Sequence, residues 1–255
     1  MSSQEELVQS VIDALELLNK NDPALDKLAS YLYIADRRLS EYLDQLKEFI
    51  KLQNPTQSES KRGGELLEQI AFLAFQGLKG ATSFKSFQSP GPQYDLLVSG
   101  DQPAWLLVCE FLYLKKNQRG IVVEAKATKE RLPDKQFARL CSIMELNLAS
   151  TVGLGVFFTL NGASGFPKNE SSRQRSISDC RLRQVLFHAK TEKFIVVLDK
   201  HDIFELGKNG TLIQILVRKI RDLCELSGLP TTPISEPKEI DLPNHLKPLY
   251  KNSSS

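Results

Sequence analysis

One run of the sequence, residues 120–129, most constrains the fold of this chain. It reads Gly-Ile-Val-Val-Glu-Ala-Lys-Ala-Thr-Lys, and its β-branched start predicts a buried strand. Side chains alternate between the two faces of a strand, so Glu124 and Lys126 project from the same face. Burial of a charge costs free energy unless a partner, a metal or a function compensates it. The pair therefore marks either a functional site or a structural salt bridge on a half-solvated sheet.

A second carboxylate, Asp95, opens another predicted strand, Tyr-Asp-Leu-Leu-Val-Ser, at 94–99. The Glu-x-Lys spacing alone carries little weight, because it recurs at 59–61 and 236–238 in polar, turn-rich segments. Only the pair at 124–126 combines this spacing with an apolar strand pattern and a carboxylate on a second strand. These three charged residues are the first candidates for a site.

The composition bounds the class of protein. Hydrophobic residues make up 41% and charged residues 25% of the 255 residues, as in a globular protein with a full-sized core. No apolar run approaches a membrane span and the first residues lack a secretion signal, so we expect a cytoplasmic protein. The 33 basic and 31 acidic residues give a net charge of +2, so any surface that binds nucleic acid has to be local.

The cysteines point to packing rather than to metal or disulfide chemistry. They show no Cys-x-x-Cys spacing, which argues against a zinc site and against a disulfide framework. Free cysteine in apolar surroundings behaves as a small hydrophobic residue. We expect packing roles for Cys109, Cys141, Cys180 and Cys224.

The N-terminal part, residues 1–55, predicts a helical extension. A first helix spans 4–19, and a second begins after Asp22, a capping residue followed by Pro23. Apolar side chains recur along the second helix in steps of three and four residues: Leu25, Leu28, Leu32, Ala35, Leu39, Tyr42, Leu46 and Phe49. A hairpin with the shorter first helix would leave part of this seam uncovered, so we expect dimerisation or docking on the rest of the chain. Ser40 is an alternative cap that would split the second helix.

After a polar linker at 53–62, residues 62–228 read as one α/β domain. Helices are predicted near 64–78, 133–149, 172–189 and 211–226, and strands near 94–99, 105–114, 121–127, 154–160 and 194–198. Residues 229–255 contain five prolines and a serine tail, which predicts an extended or disordered end.

The order helix, three strands, helix, strand, with a carboxylate on one core strand and Glu-x-Lys on the next, resembles the PD-(D/E)XK nuclease superfamily. Within it the chain is similar to the restriction-endonuclease-like, Mrr-type branch over about residues 62–226. The stretches that carry the resemblance are Gly64-Glu-Leu-Leu-Glu68-Gln-Ile-Ala, Gln93-Tyr-Asp95-Leu-Leu-Val, Ile121-Val-Val-Glu124-Ala-Lys126-Ala, Gly155-Val-Phe-Phe-Thr-Leu-Asn-Gly and Phe194-Ile-Val-Val-Leu-Asp. The resemblance implies an α/β fold with a restriction-endonuclease-like core and an N-terminal all-helical extension.

The chain departs from the family pattern at two points. Tyr94 precedes Asp95 where the family carries proline, and the interval from Asp95 to Glu124 has room for an additional strand or hairpin. Glu110 is therefore a rival for the acidic position. We retain Asp95, because Glu110 lies in the middle of an apolar predicted strand.

The resemblance implies a metal-dependent reaction at the strand residues. Asp95, Glu124 and the backbone carbonyl of Ala125 would supply hard oxygen ligands for Mg²⁺, for which Mn²⁺ can substitute. The ion would activate a water molecule and offset the charge of the phosphorane. Lys126 would orient or help to deprotonate the attacking water and steady the developing negative charge.

A further carboxylate is predicted from the helix that precedes the strands. The resemblance makes Glu68, one helical turn after Gly64, an outer ligand that reaches the ion through water. Glu65 competes for this role. The alternative for both is a solvated helix surface, where most carboxylates lie.

Basic residues outside the strands predict weaker contacts with nucleic acid. Lys129 and Arg131 follow the Glu-x-Lys strand, and Arg173 and Arg175 belong to the basic helix; each either contacts phosphate or forms an ordinary solvated surface. Gln136 matches a helical glutamine near the site in some family members, or is a surface residue. We expect a metal-dependent endonuclease acting on DNA. The alternative is a noncatalytic nucleic-acid-binding or assembly protein that keeps the fold and forms a homodimer through its N-terminal helices.

Overall fold

The computed structural model describes residues 23–87, 94–167 and 177–228. The predicted helix at 4–19 and the predicted tail at 229–255 lie outside these residues. Three helices open the described part: α1 (Pro23–Leu32), α2 (Leu39–Lys51) and α3 (Gln57–Gln76). The first two come from the seam that the sequence predicts as one long helix.

A five-stranded mixed sheet lies at the centre of the fold. Its strands, side by side in chain order, are β1 (Ser83–Phe87), β2 (Tyr94–Ser99), β3 (Gly120–Lys126), β4 (Val152–Thr159) and β5 (Phe194–Leu198). The first three strands are antiparallel, whereas β3, β4 and β5 are parallel. The sequence therefore predicted a mixed α/β fold correctly.

The parallel strands need crossover connections, and helices supply them. The first crossover, between β3 and β4, is α5 (Asp134–Ser142), which continues as a π-helix (Ile143–Asn147). A further helix, α4 (Pro103–Phe111), lies between the antiparallel strands β2 and β3. Between β4 and β5 lies α6 (Asp179–Thr191), and α7 (Lys200–Glu205) and α8 (Thr211–Ser227) complete the described part. None of these helices, nor α1 to α3, has the length and apolar content required to cross a bilayer.

The side chains of β3 alternate as the sequence predicts. Ile121, Val123 and Ala125 pack into the larger apolar cluster, which also contains residues of α1, α2, α3, α4 and α8. On the opposite face Val122 packs into a second cluster with Phe137 of α5. Glu124 and Lys126 follow Val122 on this second face. The strand is thus covered by helices on both sides.

The predicted strand at 105–114 is wrong, because most of this segment forms α4. Pro103 occupies the first turn of the helix, where its fixed φ is favourable and its missing N–H costs nothing. Trp105, Val108 and Leu112 then recur at helical spacing and are buried in the core. The third antiparallel strand is β1, which the sequence analysis missed.

The N-terminal seam is buried against the chain itself. The predicted second helix is divided between α1 and α2, as the alternative with a cap at Ser40 predicted. Ser40 is not the cap, however, because it lies within α2, whose N-cap is Arg38. Leu32, Leu39 and Leu46 are fully buried in the larger cluster, which α3 and α8 share. The sequence predicted either dimerisation through this seam or its docking on the rest of the chain. In the described residues the seam docks on the α/β core.

The predicted linker at 53–62 is also shorter in the structure, because α3 begins at Gln57. A capping box fixes this start: Thr56 accepts from the Glu59 N–H at 3.2 Å, and the Glu59 carboxylate accepts from the Thr56 N–H at 2.7 Å. Reciprocal bonds of this kind satisfy amide groups that a helix start leaves without partners.

The four cysteines, Cys109, Cys141, Cys180 and Cys224, are free and buried. Burial raises the pKa of Cys109 and Cys141 to about 12. A thiol with such a pKa stays protonated at neutral pH and serves packing rather than nucleophilic chemistry.

Two neighbouring glycines of α3 offer a test of how α2 packs on it. A Cβ at Gly63 would lie 2.2 Å from the Phe49 ring, whereas a Cβ at Gly64 would meet nothing within 4 Å. Both alanine substitutions gain helix propensity, up to about 1 kcal/mol. We expect Gly64→Ala to stabilise the fold by up to that amount, and Gly63→Ala to destabilise it because overpacking costs about 1–3 kcal/mol.

Urea unfolding of the two variants beside the wild type measures this difference. Equal stabilisation by both substitutions would contradict the packing of the Phe49 ring against Gly63.

Candidate active site

Asp95 and Glu124 lie opposite each other on neighbouring strands. The antiparallel register pairs Leu96 with Val123 and Leu97 with Val122, and one further step brings Asp95 opposite Glu124. Directly opposed residues share a face of the sheet. Asp95 also binds the backbone near the end of β3, because its Oδ2 accepts a hydrogen bond from the Ala125 N–H at 2.7 Å.

Lys126 joins the two carboxylates. Its Nζ lies 3.0 Å from Glu124 Oε2 and 3.4 Å from Asp95 Oδ2. The Glu124 side chain is only 2% exposed, but Lys126 remains 26% and Asp95 18% exposed. The structure therefore brings together the three strand residues that the sequence singled out, in a cluster that is closed at Glu124 and open to solvent at Lys126.

A second cation, Arg139, reaches the cluster from α5. Its Nη2 donates to both carboxylate oxygens of Glu124 at 2.9 Å. The sequence analysis missed this residue. The available signal was its position one helical turn after Gln136, on a helix predicted to follow the Glu-x-Lys strand.

Burial and neighbouring charges set the proton affinities of the cluster. Burial is the main cause that raises the pKa of Glu124; Asp95 adds to it, while Lys126 and Arg139 oppose it. Burial alone would lower the pKa of Lys126, but the carboxylates of Glu124 and Asp95 raise it above its ordinary value. Lys126 is therefore a protonated cation at neutral pH in this arrangement.

Glu68 lies within electrostatic reach of the cluster. Its side chain is exposed on α3, in agreement with the solvated helix surface that the sequence left as the alternative. The burial that it does have and the negative charge of Asp95 raise its pKa, and Lys126 opposes this shift. Among the contacts of the described residues, Glu68 makes no direct hydrogen bond or ion pair with the cluster. Its rival Glu65 is exposed and lies 3.8 Å from Lys61, and Glu110 is exposed on α4.

Thr159 is a second residue of this region that the sequence analysis did not select. It is paired with Lys126 across the parallel ladder of β3 and β4, and it is 2% exposed. Its Oγ1 finds no hydrogen-bond partner in the described part of the chain. Its burial gave no signal in the sequence, because a threonine at a strand end is usually exposed.

Of the four basic residues predicted to contact nucleic acid, two lie in the described part of the chain. Arg131 donates to the backbone carbonyl of Phe166 at 2.8 Å, so it braces the loop after β4. Lys129 is exposed. Arg173 and Arg175 lie outside the described residues.

Within residues 23–87, 94–167 and 177–228, no group of three or more His, Cys, Asp or Glu side chains is arranged to hold a metal ion. The two carboxylates instead share one cation of the chain, Lys126, and Glu124 also pairs with Arg139. Comparisons of the chain with protein families, with curated proteins and with solved structures gave no match. The geometry of the cluster is therefore the basis for any function inferred for this chain.

The raised pKa of Glu124 predicts a pH dependence of stability. The folded state binds this proton more tightly than the unfolded chain does, so the stabilisation is full below the ordinary value of 4.5 and is lost as the pH rises through the folded pKa. We expect the unfolding free energy of wild type to fall relative to that of Glu124→Gln as the pH rises from 4.5. Urea unfolding in EDTA measures this, with Glu110→Gln as a control for the loss of one carboxylate. The opposite trend would mean that Lys126 and Arg139 lower the pKa of Glu124 by more than burial raises it.

The ion pair between Arg139 and Glu124 predicts a stability difference between two arginines. Arg139 and Arg183 are equally exposed, 41% and 43%, but Arg183 pairs with Asp134, which is 39% exposed, whereas Glu124 is buried. We expect Arg139→Ala to cost about 2 kcal/mol, because it removes a counter-ion of a buried charge. Arg183→Ala should cost less than about 1 kcal/mol. Equal costs in denaturant unfolding would contradict a structural role of Arg139 at Glu124.

Proposed function

We propose that this protein is a metal-dependent endonuclease that hydrolyses DNA phosphodiester bonds through Asp95, Glu124 and Lys126. The observation that carries the proposal is one lysine amine in contact with two carboxylates on neighbouring strand ends, one of them buried. Two carboxylates side by side repel each other, so the cluster depends on the positive charge that Lys126 places between them. Such an arrangement is typical of sites that bind a charged group.

The order of elements supports the proposed family. After α3 come the antiparallel strands β1, β2 and β3, then α5 and β4, which agrees with the helix, three strands, helix, strand order of the resemblance. The inserted α4 occupies the long interval between Asp95 and Glu124. It removes Glu110 as a rival, because that side chain lies on an exposed helix surface.

The chemistry of the donor set fits a magnesium ion. Mg²⁺ is commonly held by one or two carboxylates, with water and substrate phosphate completing its shell. Asp95 and Glu124 would hold it, with the Ala125 carbonyl as a third donor and Glu68 acting through water. When bound, the ion supplies a water molecule of lowered pKa and positive charge next to the phosphate.

The chain's own cations have separate roles in this proposal. Lys126, protonated and partly exposed, places positive charge where the phosphorane and the leaving oxygen become more negative. Its raised pKa favours this role over that of a general base. Arg139 holds the Glu124 carboxylate in one orientation through both oxygens.

Nicking of supercoiled plasmid tests the proposed activity. We expect cleavage in Mg²⁺ or Mn²⁺, none in EDTA, and a rate lower by at least about a hundredfold in Lys126→Ala, as for removal of a group that stabilises the transition state. Lys85→Ala, which removes an exposed lysine from β1 of the same sheet, should cleave like wild type.

The alternative, a noncatalytic nucleic-acid-binding protein, is favoured by one observation: Lys126 and Arg139 already neutralise Glu124. It predicts no metal-dependent cleavage of plasmid, single-stranded or branched DNA. Under the nuclease proposal, Glu124→Ala abolishes cleavage and leaves DNA binding intact. Absence of cleavage on all three substrates, with binding retained, would overturn the enzymatic proposal.

A further inference from the structure

A groove of about 340 Å³ lies at the edge of the sheet where the parallel strands end. One wall consists of residues that follow the strands: Ala127 after β3, Asn161 after β4 and Lys200 after β5. The other wall is the end of α2 and the segment after it, including Phe49. The carboxyl edge of parallel strands is where open α/β sheets bind ligands. The volume lies at the lower end of the range for small-molecule sites, about 300–1,000 Å³.

The charge of this groove differs from that of the chain as a whole. Three lysines, Lys51, Lys129 and Lys200, line it, and within the described part of the chain its lining includes no aspartate or glutamate. The whole chain, by contrast, carries 33 basic and 31 acidic residues. Lys51 also contacts Glu48 on the surface of α2, with Nζ 2.6 Å from Oε1. An excess of lysines around one concave surface attracts an anion.

The remaining lining is apolar and amide-bearing. Phe49, Leu52 and Leu160 offer apolar surface, and Gln53 offers an amide. Sites for nucleotides combine the same three components: apolar or aromatic surface for the base, amides for its edge and lysines for the phosphate.

The backbone beside the lysines is held in place. The Asn161 Nδ2 donates to the carbonyls of Lys129 at 2.8 Å and of Thr128 at 3.3 Å. This fixes the segment that carries Lys129 to the loop after β4. The groove wall is therefore part of the fold.

The groove adjoins the carboxylate cluster. Ala127 follows Lys126 directly, so their Cα atoms are about 3.8 Å apart. Ala127 packs against the larger apolar cluster, on the face of the sheet opposite Glu124 and Lys126. The groove and the Lys126 amine thus lie on either side of one strand end. A ligand that occupied both the groove and the cluster would have to pass around the end of β3.

We propose that this groove is a binding site for a nucleoside phosphate, with the phosphate at Lys129 and Lys200 and the base against Phe49. The ligand is a nucleotide of a nucleic-acid strand or a free nucleotide. The strand form rests on the proposed nuclease function, because it positions a nucleotide next to the bond that is cut. The binding site itself rests only on the lining of the groove.

The test measures binding in EDTA, where cleavage is not required. A fluorescently labelled single-stranded oligonucleotide is titrated with wild type and with a Lys129→Ala, Lys200→Ala double variant. We expect the double variant to bind about tenfold more weakly. Its salt slope should be smaller by about 1.4, because each phosphate neutralised on a single strand contributes about 0.7 to the slope. Lys129→Arg with Lys200→Arg should restore both, since arginine keeps the charge.

The matched control removes two lysines from the opposite edge of the sheet. Lys115 and Lys116 are exposed and precede β3, so Lys115→Ala with Lys116→Ala changes the net charge equally and should leave binding near the wild-type value. Equal weakening by both double variants, or no weakening by either, would overturn the proposed groove site.

Competition by an unlabelled deoxynucleoside monophosphate separates the two forms of the ligand. Displacement of the oligonucleotide from wild type supports a free-nucleotide site, and a lysine effect confined to the oligonucleotide supports the strand form. Plasmid nicking is scored separately. Binding that depends on Lys129 and Lys200, without any cleavage, would support the groove site and reject the nuclease proposal. Cleavage of plasmid, with binding that does not depend on these two lysines, would support the nuclease proposal and reject the groove site.

Discussion

The buried carboxylate of Glu124 is the constraint on which the centre of this structure depends. A carboxylate that is almost fully enclosed needs partners that offer positive charge and hydrogen bonds. Its two partners come from two elements of the fold. Lys126 comes from the same strand, two residues on, and Arg139 comes from α5. Arg139 reaches Glu124 because its neighbours Phe137 and Leu140 pack α5 onto the second face of the sheet. The electrostatic contact and the apolar packing of α5 therefore fix the same helix position.

The other face of β3 explains why the N-terminal helices belong to the fold. Ile121, Val123 and Ala125 present an apolar surface that α3 alone does not enclose, and the larger cluster extends from it through α4 and α8 to α1 and α2. The buried hydroxyl of Tyr33, just after α1, donates to the Leu206 carbonyl at 2.7 Å, joining the two ends of the described chain. The apolar seam, whose spacing in the sequence is also that of a coiled coil, packs here against the core of the same chain.

The proximity of Asp95, Glu124 and Lys126 followed from the sequence more directly than the elements around them did, for a physical reason. The shared face of Glu124 and Lys126 follows from the two-residue period of a strand, which is a local property. The segment 105–114 failed because a short apolar run has the same appearance in a buried strand and a buried helix; Pro103 was the signal that distinguishes them. Arg139 was missed because its helical spacing from Gln136 does not by itself show that α5 packs against Glu124, which depends on tertiary structure. The edge strand β1, with Ser83 and Lys85 among its residues, lacks the apolar signature of a core strand.

A static salt bridge and a reaction centre would use these charges differently. For stability alone, a buried ion pair is often no better than apolar residues of the same volume, and a second carboxylate beside it adds repulsion. This cluster has that second carboxylate, Asp95, and its Lys126 is open to solvent. Positive charge also continues past the end of β3, from Lys126 to Lys129 and Lys200 on the wall of the groove. The second carboxylate and the partly exposed lysine are thus the features of this strand end that the proposed binding of a phosphate-bearing ligand explains and a purely stabilising ion pair does not.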